Sequence, residues 1–210
     1  MGASDFSNLP HIGSAVRRKE DYRFLTGAGQ YTDDITQAAQ SYAVFVRSPH
    51  AHARIKGIDL TRAKAMPGVV EIFTGKDIDG KMGGLPCGWL ITSTDGTPMK
   101  EPPHPILAIG KARYVGDQVA MVIAETLEQA KNAAEAVEVD YEVLDAVVDM
   151  RTAAKGPALH DEAPDNQCYK WTLGDKAAVD AAFAGAAHVS KLDLTNNRLI
   201  PNAMEPRAAN

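Results

Sequence analysis

Residues 118–143 read QVAMVIAETLEQAKNAAEAVEVDYEV, and three patterns follow one another within them. Gln118–Ala124 is a short apolar run of strand length without a helix cap. Thr126 followed by Gln129 makes a capping box, because the hydroxyl of the first residue and the side-chain amide of the residue three positions on can each receive a backbone N–H at a helix start. Leu127, Ala130, Ala134 and Val137 then fall at helical spacing. From Val137 the period changes to two: Val137, Val139, Tyr141 and Val143 alternate with Glu138, Asp140 and Glu142, as in a half-buried strand. The stretch predicts a β-α-β unit.

Working outward, ARIKGIDL (53–60) leads to a short helix in TRAKAM, a Pro67-Gly68 turn and the strand VVEIFT. Asp59 or Thr61 is the expected cap of that helix. Residues 75–105 are dense in Gly and Pro and predict a long loop of the kind that carries partner contacts. AAKGPALHDEAPDNQCYKW (153–171) has the composition of a linker. Beyond it Asp175 caps KAAVDAAFAGA, Gly185 ends that helix, and HVSKLDLTNN (188–197) turns back into a strand. Strands alternating with helices imply α/β or α+β, with strand order left open. The closing NNRLIPNAMEPRAAN, with no helix cap or polar tail, reads as an interior passage.

Composition narrows the class. The 210 residues are 45% hydrophobic and 23% charged, with a formal charge of −5, which describes a globular protein and excludes a disordered or collagenous one. Binding to nucleic acid is not expected, because it needs clustered cations to displace counterions, and the one basic run, Arg17-Arg18-Lys19, is offset at once by Glu20 and Asp21. No apolar run approaches the roughly 18 residues of a membrane span. The N-terminal residues lack an apolar signal core, the paired arginines precede charged residues, and Phe6 stands where a myristoylation signal needs Ser or Thr, so a cytoplasmic location is expected. Cys87 and Cys168 form no Cys-x-x-Cys pattern and are read as free reduced thiols, not as cluster or zinc ligands.

The individual motifs are modest. GAGQYT (27–32) lacks the third Gly of a dinucleotide fingerprint and leads into Asp33-Asp34, so it reads as a tight turn. Asp77–Gly80 begins like a calcium loop, but Gly88 stands where a bidentate Glu is required. In RSPHAHARI, an extended chain places His50, His52 and Arg54 on one face near Arg47. No third metal ligand is close, so a structural or interface role is the expectation. Tyr114-Val115-Gly116-Asp117 reads as a turn. No nucleophile elbow, Ser-x-x-Lys or phosphate loop is present.

Four stretches in order change the reading: RRKEDYRFLTGAGQYTDDI, VFVRSPHAHARIKGIDLTRAKAMPGVVEIFTGKDI, PILAIGKARYVGDQVAMVIAETLEQAKNAAEAVEVDYEVLDAVVD and NNRLIPNAMEPRA. From Val16 to Ala208 the chain resembles the amino-terminal part of the large subunit of molybdenum hydroxylases, the family of xanthine dehydrogenase, aldehyde oxidase and carbon monoxide dehydrogenase. The resemblance implies an α+β fold in which an N-terminal extension (1–19) precedes an α/β hammerhead domain (20–150). A linker (151–170) then leads to the start of the molybdenum cofactor-binding domain (171–210).

The implied chemistry is hydroxylation of a small substrate, an aldehyde, an N-heteroaromatic or carbon monoxide, with water as oxygen donor. A molybdenum-pterin cofactor bound mainly outside this chain would carry it, with iron-sulfur clusters and FAD on partner subunits. No catalytic, cofactor-binding or metal residue is carried over onto this chain. Met204, Glu205, Pro206 and Arg207 match a family stretch, and a buried Glu205–Arg207 pair is the expectation there. The implied role is scaffold and subunit contacts, completed by the remaining molybdenum-subunit polypeptide and by iron-sulfur and flavin subunits. The chain alone is expected to be inactive. The alternative is a stand-alone noncatalytic binding or interaction domain.

Overall fold

The computed structural model describes residues 18–197, 199, 203 and 208–210. Met204–Arg207 therefore lie outside the described residues. The chain divides into two units, Ser41–Asp193 and a second comprising Met1–Gln40 with Leu194–Asn210.

The second unit carries helix α1, Asp21–Leu25, and a 3-10 turn, Thr32–Asp34. Between them the GAGQYT stretch is the tight turn its composition predicts. Gly27 has φ +73°, a left-handed conformation that Cβ disfavours, and Ala28 N donates to Arg23 O at 2.9 Å.

The larger unit contains strands β1 (Tyr42–Arg47), β2 (Ala53–Asp59) and β3 (Val69–Thr74), with helix α2 (Thr61–Lys64) between the last two. Helix α3 (Gly75–Ile78), strand β4 (Lys111–Ala112) and strand β5 (Gln118–Ala124) follow, then helix α4 (Leu127–Glu135), strand β6 (Glu138–Val143) and helix α5 (Lys176–Ala184). Two antiparallel sheets result, ordered β1-β5-β3 and β4-β2-β6. This corrects the β-α-β unit: its strands and helix all form, but β5 and β6 belong to different sheets. A residue pattern sets which face of a strand is buried and leaves its pairing to chain topology.

The α4 capping box has a physical counterpart. Thr126 Oγ1 accepts from Gln129 N at 3.2 Å, and Gln129 Oε1 accepts from Thr126 N at 3.1 Å. The helix lies on the β1-β5-β3 sheet and buries Ala130 and Ala133, whose small side chains permit close approach of the backbones. The expected apolar face is rotated from the one observed: Leu127 is 40% exposed and Ala134 only half-buried, whereas Ala133 is fully buried. Ala63, Ile72, Val122, Ala133, Ala136 and Val137 form the core, with Ile58 and Val139 from the other sheet packed against it. The opposite face of the first sheet carries Phe45, Met121 and Phe73 in direct register.

Three further expectations are corrected or refined. For α2 the N-cap position is Leu60, and Asp59 Oδ1 accepts from Thr61 N at 2.8 Å from one residue earlier. The RSPHAHARI stretch is not extended throughout, because β1 ends at Arg47 and β2 begins at Ala53, leaving His50 in the connecting turn. Residues 188–197 form no strand; Leu192 and Leu194 are 81% and 77% exposed. An alternating sequence becomes a strand only where a neighbour supplies ladder hydrogen bonds, and none of the described strands pairs with it.

Residues 151–172 run against the 93–113 segment. Thr94 N donates to Lys170 O at 2.8 Å and Lys100 N to Cys168 O at 2.9 Å. Lys100 Nζ pairs with Asp165 Oδ1 at 2.7 Å, and Arg113 Nε donates to Leu159 O at 3.0 Å. Asn166 ties the strap internally, donating to Ala153 O and Pro157 O.

Candidate functional site

The residues that sequence singled out are scattered by the fold. His52 is buried in the larger unit, its Nδ1 2.8 Å from Asp145 O and its Nε2 without a partner. His50 meets the edge of the Tyr141 ring at 5.0 Å between centroids. Arg54 leaves both histidines to pair with Glu142 at 3.1 Å, and Arg47 Nη1 donates to Gly116 O at 2.9 Å. The histidine pair thus stands in packing roles. Among the described residues no three His, Cys, Asp or Glu side chains come together as a metal site. Cys87 and Cys168 are free thiols.

The Tyr114–Asp117 turn is held by both of its flanks. Ser48 N donates to Asp117 O and Gly116 N to Ser48 O, each at 2.8 Å, so the turn is stitched to the end of β1. Asp117 is buried, and its Oδ2 accepts from Arg113 N at 2.9 Å. That turn forms one wall of a cavity of about 280 Å³. Arg113, three prolines (Pro102, Pro103 and Pro105), His104 and His160 also line it.

The cavity is firmly built. Leu85 N donates to His104 O at 2.8 Å, and Gly84 packs so close that a Cβ there would lie 2.3 Å from that same carbonyl oxygen. The His104 ring meets Tyr114 edge-on at 6.4 Å. Burial, and then the Asp117 carboxylate, pushes the Tyr114 phenol above its ordinary pKa. Burial, and then the Arg113 guanidinium, holds His160 below the usual imidazole range. His160 Nδ1 is buried without a hydrogen-bond partner. Of these residues only the Tyr114–Asp117 turn is legible in the sequence. His104 and His160 sit in segments read as loop and linker, and the one signal was a histidine among three prolines.

Residues 26–145 match the family described as aldehyde oxidase and xanthine dehydrogenase, a/b hammerhead domain. This chain belongs to that family. Across 199 residues the hammerhead protein is 38% identical to the nicotine 6-hydroxylase large subunit of Paenarthrobacter nicotinovorans, covering 93% of this chain and 23% of that protein. It is 36% identical to the carbon monoxide dehydrogenase large chain of Afipia carboxidovorans, over 94% of this chain and 25% of the relative. Its structure resembles reconstituted CO dehydrogenase from Oligotropha carboxidovorans with a TM-score of 0.64 and 33% identity, over 84% of this chain and 22% of that one. Quinoline 2-oxidoreductase from Pseudomonas putida 86 gives 0.57 and 38%, over 70% and 18%.

The hammerhead chain thus spans about a quarter of the length of these two curated relatives. The two antiparallel sheets and α4 all lie within the matched residues, so the α+β hammerhead assignment rests on both sequence and structure.

Proposed function

We propose that this chain is the amino-terminal piece of the large subunit of a molybdenum-dependent hydroxylase or dehydrogenase. The observation that carries this reading is the ordered match over 93% of the chain to a nicotine hydroxylase large subunit. Residues 20–150 are the hammerhead, residues 151–170 the connection, and residues 171–210 the start of the cofactor-binding domain. The chain supplies scaffold and subunit contacts in the cytoplasm, and iron-sulfur and flavin partners carry electrons away. Among the described residues no helix is long and apolar enough to cross a membrane.

Among the described residues no three His, Cys, Asp or Glu side chains come together as a metal-ion site, and no residue of this chain is assigned to the cofactor. No catalytic step is therefore assigned to this chain. The cofactor belongs to the remaining large-subunit polypeptide, where it would supply oxidation of a small substrate with water as oxygen donor. The protein's part is placement.

Purification from the source cells by a tag on this chain tests the proposal. The material should reduce an artificial electron acceptor with an aldehyde, an N-heteroaromatic or carbon monoxide, and oxygen from 18O-labelled water should appear in the product. A preparation without molybdenum that oxidises none of the three classes would overturn it.

A further inference from the structure

Phe45, Met121 and Phe73 stand side by side on three neighbouring strands, β1, β5 and β3, in direct register. A cavity of about 170 Å³ lies against this row, and Ile78, Met82, Ile106 and Leu107 complete its lining. Those four residues come from two segments that hydrogen bonds hold in place. Ala108 N donates to Gln118 O at 2.6 Å, which ties the end of the 106–108 segment to the start of β5. Met82 N donates to Ile78 O at 3.0 Å, and the start of α3 packs so tightly that a Cβ on Gly75 would lie 2.3 Å from Ala108 O. Leu107 is buried, whereas Met82 and Ile106 are exposed, so the lining runs from the interior to the surface.

All seven side chains are apolar, and no polar atom contributes to the cavity surface. A buried water needs about two to four polar partners, and this space offers it none. Left empty, the cavity forfeits the dispersion contacts its lining could make. A charged or hydrogen-bonding ligand would give up its hydration without compensation, which leaves a hydrocarbon. Volume sets the size, since an apolar cavity of about 150 Å³ accepts benzene. The two Phe rings and two Met thioethers are the neighbours an aromatic ring packs against most favourably.

We propose that this cavity binds a small uncharged aromatic hydrocarbon, one ring in size, against the Phe45-Met121-Phe73 row. Its walls are in place before any ligand arrives, so little ordering entropy is lost on binding. The competing occupant is one apolar side chain of a second copy, which differs from a free ring in its dependence on protein concentration. The inference stands on the cavity alone and is independent of the proposed activity.

Toluene and phenol, alike in shape and different in polarity, are the probes. With the methionine methyl groups of the 210-residue chain 13C-labelled and followed by NMR, toluene should shift Met121 and Met82 saturably. Met66 and Met150, outside the lining, should stay still. Phenol should bind about tenfold more weakly, the cost of a hydroxyl without a partner. Toluene should also raise the melting temperature, because it binds the folded state. Equal affinity for both probes, no saturable shift at Met121, or comparable shifts at all four methionines would overturn the proposal. So would the same Met121 shift on raising protein concentration without toluene, which would put a second copy's side chain in the cavity.

Discussion

Single residues at the start of α3 show how a local contact becomes a pH dependence. Thr74 N and Thr74 Oγ1 both donate to Asp77 Oδ2 at 2.7 Å. These bonds, the hydroxyl first and the amide second, hold the Asp77 carboxyl below its ordinary value of 3.8. A depressed folded-state pKa contributes stability that is complete above 3.8 and lost as pH falls through the folded value. Asp77→Asn should therefore cost about 0.5 kcal/mol at pH 7, the figure reduced for solvent screening at this exposed position. The difference from the parent should shrink as acid is added below 3.8. Paired urea titrations at pH 7 and pH 3 check it, and a gap that widens in acid would contradict the assignment.

Elements were legible where local chemistry decides them and illegible where partners do. The α4 cap was readable because Thr126 and Gln129 satisfy backbone groups within their own turn. The buried face was misjudged by about one residue, because an Ala-rich helix offers little contrast between neighbouring positions. Ala133→Glu should consequently cost about 3 kcal/mol or more, placing a charge where exposure is 0%. Ala134→Glu, half-buried, should cost clearly less. Melting curves of the two variants measure the rotation, and equal losses would show the face is wider than described. For residues 188–197 the alternation was real in sequence, yet a ladder needs a second chain segment. Their amides should exchange with solvent much faster than those of β5, which is paired on both sides. Hydrogen exchange with peptide-level readout settles it, and protection of 188–197 in monomeric protein would mean an unseen pairing. The cavity around His160 was hardly visible in advance, because its walls come from three segments brought together by the 93–113 and 151–172 contacts.

At the scale of the whole molecule, exposure points outward. Helix α5 buries no residue, and Trp171, Leu173, Val179 and Phe183 are all more than half exposed. The central claim is that this hammerhead functions inside a larger molybdenum-containing assembly, and native mass spectrometry of the protein purified from its source cells tests it most directly. The account predicts a complex far heavier than 22.5 kDa that contains large-subunit, iron-sulfur and flavin polypeptides and releases molybdenum on denaturation. A homogeneous species of 22.5 kDa, with no companion chain and no molybdenum, would contradict it.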